Sequence, residues 1–265
     1  MLQWAWADDD GLQLTWAGRS ATLLPDGTVI DLPQDTAALE RLSQGHDVIL
    51  SLVRAKLASE AQEAGLAKQV CNLAARNKQP LFLCSSAAVY GDAPGPYAED
   101  DTPHPVTPYG RAKRLMEHAA AASAANVTCM RIGNVAGADA LLGPHRPGAT
   151  TPIMLDRFLD GSTPRRSYIG PLTLARVLAD LMRMAVAGTA LPPTLNVAGG
   201  GAVQMSDVLA AADMTWVAQP APATALPALT LDTRRLACLV DLPNDAGTSA
   251  CVVHEWLTYC RAARS

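Results

Sequence analysis

Short apolar runs separated by polar, helix-forming stretches set the pattern of the first half of the chain. Leu12 to Ala17 is apolar and aromatic and closes on Gly18-Arg19-Ser20, and Thr28-Val29-Ile30 is a β-branched run ending at Asp31. Asp47 to Val53 shows little polar alternation, which predicts a strand buried on both faces. Leu81 to Cys84 and Val127 to Ile132 read as two further strands. Between them, Thr36 to Leu42 is helix-forming, with Asp35 placed as its N-cap. Ala55 to Asn77 is rich in Ala, Glu, Lys and Gln and long enough for roughly five or six helical turns. Tyr109 to Ala125 is Ala-rich and follows a proline. Strands alternating with helices predict an α/β fold, a parallel sheet covered on both faces.

The second half is less regular. Val177 to Ala187 predicts a helix, Pro192-Pro193 and Asn196 to Gly201 interrupt, and Val252 to Ala263 predicts a closing helix. Gln219 to Pro227 is Pro/Ala-rich and reads as a surface connection. At 265 residues with 49% hydrophobic and 17% charged positions, the chain can bury a large core. A net charge of -4 argues against nucleic acid or an anionic membrane as partner. No apolar stretch reaches the ~18 residues of a membrane span. Asp8, Asp9 and Asp10 stand where a signal peptide would carry a basic flank. Six cysteines, at 71, 84, 129, 238, 251 and 260, form no CxxC pair, and no His cluster has metal spacing. The expectation is a soluble cytoplasmic protein without a metal.

Two segments carry chemistry. Ser85-Ser86-Ala87-Ala88-Val89-Tyr90-Gly91 directly follows a predicted strand, and Pro108-Tyr109-Gly110-Arg111-Ala112-Lys113 opens a predicted helix. Tyr109 and Lys113, four residues apart, share one helical face. An ammonium beside a phenol favours the phenolate, lowering a pKa of ~10. A hydroxyl from Ser86 could bond the same substrate oxygen, giving a proton-transfer device for an alcohol or ketone. The bland alternative is an exposed helix pair worth a few tenths of a kcal/mol. Tyr90, His104, His118 and His254 have no evident chemical partner and read as structural.

These segments resemble the extended short-chain dehydrogenases/reductases, the NAD-dependent epimerase/dehydratase group. Ser86 falls on the family's catalytic Ser in the pattern S-x-x-V-Y-G, and Tyr109 and Lys113 on its catalytic Tyr and Lys. Arg131 to Gly137 is similar to R-x-x-N-V-x-G, whose Asn, here Asn134, contacts substrate. Arg166-Ser167-Tyr168-Ile169 is similar to R-D-Y-I, whose Arg, here Arg166, holds a nucleotide diphosphate. Leu195 to Gly200 and Gly45 to Ile49 match two more segments in order.

The resemblance implies a Rossmann-like doubly wound parallel sheet with a small C-terminal substrate lobe. The dinucleotide-binding domain would be 1–137 and 168–198, and the substrate lobe 138–167 and 199–265. Tyr109 would be the general acid/base, and Lys113 would lower its pKa and hold the nicotinamide ribose. Asp31 and Leu32 would meet the adenine. Arg19 could face a 2′-phosphate, which leaves NAD and NADP both open. A homodimer is an expectation by analogy.

The departures narrow the chemistry. Family dehydratases carry an acid and base directly after the catalytic Ser or Thr, whereas this chain has Ala87 and Ala88, and a methyl group cannot move a proton. The usual Asp after R-D-Y-I is Thr173, and the usual Pro after the Asn is Val135. At the front, no strand with a glycine-rich, pyrophosphate-binding turn precedes Leu12, and Met1 to Trp6 reads as the tail of the helix that would follow it. The missing unit amounts to roughly 20 residues. Either Met1 is an internal methionine or the chain has lost its phosphate loop; the survival of Ser86, Tyr109 and Lys113 together favours the first. The expected function is an NAD(P)-dependent epimerase or reductase acting on a sugar carbon of a nucleotide-sugar. The alternative is a non-catalytic binding or scaffold protein on a degenerate Rossmann fold that has lost dinucleotide binding.

Overall fold

The computed structural model describes residues 1–263 apart from 8, 10, 21–26, 32, 33, 54–59 and 94. A short helix α1 (Leu2–Ala5) opens the chain, followed by β1 (Ala17–Gly18), β2 (Thr28–Val29) and α2 (Thr36–Ser43). Then come β3 (Ile49–Ser51), α3 (Glu60–Asn77), β4 (Leu81–Ser86), α4 (Pro108–Ala121) and β5 (Val127–Ile132). Strands β6 (Asn134–Val135), β7 (Ile153–Arg157), β8 (Arg165–Arg166) and β9 (Tyr168–Ile169) precede α5 (Pro171–Val186) and β10 (Thr194–Val197). The remainder is β11 (Val203–Gln204), α6 (Met205–Ala211), β12 (Trp216–Pro220), β13 (Ala228–Leu229), α7 (Arg234–Ala237) and α8 (Ser249–Ala262).

The main sheet has the order β10-β5-β4-β3, and every pair in it is parallel. Successive side chains along a strand alternate faces, and both faces of this sheet are apolar. Leu81 and Leu83 of β4 and Cys129 of β5 pack with Ala67, Val70 and Ala74 of α3 and Met116 and Ala120 of α4. Phe82, Met130 and Ile132 turn the other way, onto Leu174, Leu178 and Leu181 of α5. The α/β expectation with helices on both faces holds.

Strands β1 and β2 pair in parallel as a separate two-stranded sheet; among the described residues β1 has no ladder with β3. Trp6 fills the apolar space on the α5 side: its Nε1–H donates to the Ala175 carbonyl at 3.0 Å and its ring stacks on Trp16, centroids 6.0 Å apart. In the later part of the chain, β8 lies between β11 and β13, β7 pairs with β12, and β6 with β9. Tyr168, Leu155, Val208, Leu209 and Trp256 form their apolar centre. No helix among the described residues is long and apolar enough to cross a membrane.

Several element boundaries differ from the sequence reading. Leu12 to Ala17 contributes only Ala17 to a strand, because the ladder begins where Thr28 N–H donates to Trp16 C=O. The Asp47–Val53 run is a strand only over Ile49–Ser51 and is half-buried rather than buried on both faces, since β3 forms one edge of the four-stranded sheet. The helix read from Ala55 is described from Glu60; residues 55–59 lie outside the described residues. Helix α4 stops at Ala121, and beyond it the Ser123 hydroxyl donates to the Ala120 carbonyl, a local bond that competes with helix continuation. Gln219 and Pro220, read as a connection, belong to β12.

The Thr173 departure has a structural counterpart. Helix α5 has Gly170 at its N-cap and no side-chain cap of its own. Glu255, buried on α8, accepts hydrogen bonds from Leu172 N–H and Thr173 N–H and from the Thr173 hydroxyl, at 2.8, 2.9 and 2.5 Å. A carboxylate from a distant helix thus satisfies the orphan donors of α5.

Candidate active site

Ser86 ends β4 and caps a single 3-10 turn, Ala87–Val89, its Oγ accepting from Ala88 N–H at 3.2 Å. That bond leaves the hydroxyl proton of Ser86 available for donation. Helix α4 starts under two signals: Thr107 caps it by accepting from Gly110 N–H, and Pro108 occupies the first position, where its missing N–H costs nothing. Tyr109 therefore lies in the first turn and Lys113 one turn on. Gly110 is required between them. A Cβ there would overlap the Ala88 carbonyl, so only glycine lets this turn lie against the Ser86 turn.

Lys113 is buried, and its Nζ pairs with Glu63 Oε1 of α3 at 2.6 Å while sitting 6.0 Å from the centroid of the Tyr109 ring. The ammonium is thus near the aromatic face of Tyr109 and also bound to a carboxylate that the sequence reading missed. A signal was present: residues 63, 66, 67, 70 and 74 form the buried stripe of α3, and Glu63 is the charged member of it.

One turn further along α4, Glu117 anchors a buried polar network that the sequence reading also missed. It accepts from Ser85 Oγ at 2.6 Å, from Arg131 Nε and Nη2 at 2.9 and 2.8 Å, and from Arg114 Nη1 at 3.1 Å. Burial pushes the Glu117 carboxyl up, but the Arg131 guanidinium and the other donors outweigh it, and the carboxyl is held below its ordinary range. Arg131 Nη1 also donates to Tyr90 Oη, which in turn bonds Asn196 Oδ1 at 2.7 Å. Burial pushes the Tyr90 phenol up to about 12 despite Arg131 beside it. The network locks the ends of β4, β5 and β10 into one frame.

Asn134 opens β6, one residue beyond the end of β5, and pairs with Tyr168 of β9. Its Nδ2 donates to Asp139 Oδ2 at 3.4 Å, and the buried Tyr168 hydroxyl donates to the same oxygen at 2.8 Å. Burial raises the Tyr168 phenol above its ordinary value and the Asp139 carboxylate adds to this. Arg166 is half-buried, donating Nη1 to the Arg165 carbonyl and Nη2 to the Leu226 carbonyl. Burial lowers its hold on the proton. Both bonds go to neutral acceptors.

Arg19 follows β1 and Asp31 follows β2, both exposed. Leu32 lies outside the described residues. Arg19, Asp31, Ser86 and Asn134 all stand at the carboxyl ends of parallel strands, the edge where open α/β sheets bind ligands. Tyr109 reaches that edge because α4 begins against the Ser86 turn. Among the described residues no group of three or more His, Cys, Asp or Glu side chains could hold a metal ion.

The model of the NAD dependent epimerase/dehydratase family matches residues 28–182, more than half of the chain and the stretch that carries Ser86, Tyr109 and Lys113. The chain belongs to this family. Among solved structures, it is similar to MoeE5 in complex with UDP-glucose and NAD, with 19% identity over 100% of this chain and 95% of that one and a TM-score of 0.75. It is also similar to the Bordetella bronchiseptica enzyme WbmG in complex with NAD and UDP, at 18% identity, 98% and 91% coverage and a TM-score of 0.72. UDP-glucose 4-epimerase from Brucella ovis in complex with NAD gives 18% identity, 88% and 85% coverage and a TM-score of 0.71. At such identities the likeness establishes the fold. Comparison with curated proteins gave no match.

Proposed function

We propose that this member of the family catalyses NAD(P)-dependent epimerisation or reduction at a sugar carbon of a nucleotide-sugar. The observation that carries the reading is the seating of the first turn of α4, with Tyr109 and Lys113, against the turn that Ser86 caps. The ligands held by the similar structures, NAD with UDP-glucose or UDP, support the ligand class.

The chain's groups suit two ends of a dinucleotide. Arg19 and Asp31, after β1 and β2, offer a cation for a ribose phosphate and an acceptor for adenine or ribose hydroxyls. At the other end, the Lys113 ammonium offers donors to the nicotinamide ribose. When bound, the nicotinamide would supply the hydride chemistry at the sugar carbon. Tyr109 removes the proton of the reacting hydroxyl and gives it back, and Ser86 donates a hydrogen bond to that oxygen as it becomes a ketone. Asn134 and Arg166 are assigned to the nucleotide-sugar. Residues 1–137 with 168–198 are assigned to the dinucleotide and 138–167 with 199–265 to the substrate. Ala87 and Ala88 offer no acid or base after Ser86, which favours epimerisation or reduction over loss of water.

The test is incubation with UDP-glucose and either dinucleotide, followed by chromatography of the sugar products and by absorbance of the reduced cofactor. An epimerase yields a new sugar without net cofactor change, whereas a reductase, run in reverse on this alcohol, reduces one oxidised cofactor for each ketone formed. Tyr109→Phe should abolish turnover with dinucleotide affinity near that of the parent; full turnover in that variant would refute the assignment. A second reading is a protein that binds a nucleotide-sugar without turnover; among the described residues β1 has no ladder with β3. Sugar-nucleotide affinity with no dinucleotide affinity in the same titrations would establish it.

A further inference from the structure

We propose that Glu63 is the positioning residue of Lys113, the carboxylate that keeps its ammonium charged and fixed against the first turns of α4. The inference rests on the reading of Tyr109 and Lys113 as the proton-transfer pair. It starts from burial: the two side chains are only 3% and 4% exposed and meet at 2.6 Å. Burial disfavours an ammonium, and a carboxylate within bonding distance offsets that cost.

Three other groups that face Lys113 among the described residues carry no carboxylate. Its own helix contributes the Tyr109 ring and the Met116 sulfur, 3.9 Å from Nζ. Strand β4 contributes Cys84, whose thiol is pushed up first by burial, with Lys113 opposing and Glu63 reinforcing the shift. Helix α3 contributes Glu63 from within its apolar stripe, where Leu66, Ala67 and Val70 are the neighbours. The consequence is chemical. A neutral amine neither favours a phenolate on Tyr109 nor presents an ammonium to a ribose hydroxyl, so Glu63 would act on proton transfer through Lys113 without touching the substrate.

Lys56, Lys68, Lys78 and Lys113 are the four lysines of the chain, so lysine-selective isotope-edited NMR can follow each one, with Lys113→Met identifying the signal. Titration without dinucleotide or sugar should show Lys113 losing its proton at lower pH in Glu63→Gln than in the parent. An unmoved Lys113 midpoint overturns the proposal. Where Glu63→Gln does not fold, the double variant Glu63→Gln/Lys113→Met decides. Its recovery assigns the loss to the uncompensated ammonium, and its failure assigns Glu63 to packing and overturns the proposal. In the turnover assay, Glu63→Gln should lose activity at the alkaline end of the pH profile with KM for the sugar unchanged. A profile coincident with the parent's would mean a structural ion pair, and the positioning role falls. Absence of turnover in the parent would refute the proposed activity while leaving the lysine titration to be judged by itself.

Discussion

Glu117 gathers Ser85, Arg114 and Arg131 onto one buried carboxylate. Its carboxyl is held below the ordinary range in the folded chain, so it contributes stability above the unfolded value and loses it as pH falls through the folded one. Melting temperature against pH should therefore drop through the acid range in the parent, and Glu117→Gln should flatten that part of the curve. At neutral pH the same substitution leaves Arg131 buried without its carboxylate and should cost about 3–5 kcal/mol in denaturant unfolding. Ser86, Tyr109 and Lys113 were legible because each belongs to a short local pattern. Glu63 and Glu117 were not, since their partners Lys113 and Arg131 come from other parts of the chain, and only folding reveals the pairing. Arg166 shows the opposite case, a residue marked by a motif whose bonds in the structure go to the carbonyls of Arg165 and Leu226.

Helices and strands were legible where a run had its own boundary chemistry. Asp35 was read as an N-cap, and its side chain does accept from Ala38 N–H. Helix α5 carries no such signal, because its cap comes from Glu255 on α8. Glu255→Ala should cost about 1–2 kcal/mol, measured as a lowered denaturation midpoint with unchanged slope. Thr173→Asp, which installs the residue usual in the family, should destabilise here as well, since it sets a second carboxylate against Glu255. At the start of α4, Gly110→Ala should push the helix from the Ser86 turn and lower turnover while the protein stays folded, checked by circular dichroism beside the kinetic assay. Strand lengths were misread for a different reason: the apolar run at Leu12–Ala17 reflects packing of Leu12 and Trp16 on the core, not ladder formation.

Across the whole molecule, cohesion is uneven. Strands β4 and β5 share six paired positions and are buried between α3, α4 and α5, whereas β1 and β2 share two. Hydrogen exchange should accordingly be slowest along β4 and β5 and markedly faster along β1 and β2; equal protection would mean that the two sheets open as one unit. The front of the chain is tied to the rest by the Trp6 bond to Ala175 of α5, by the Asp9–Arg183 ion pair and by Trp4 packed on Tyr259. Two stacked indoles at that seam are a built-in optical gauge. Detachment of the front segment would wet Trp6 and shift its emission to the red before the remaining core melts. Fluorescence and far-ultraviolet signals should then part company early in a denaturant series.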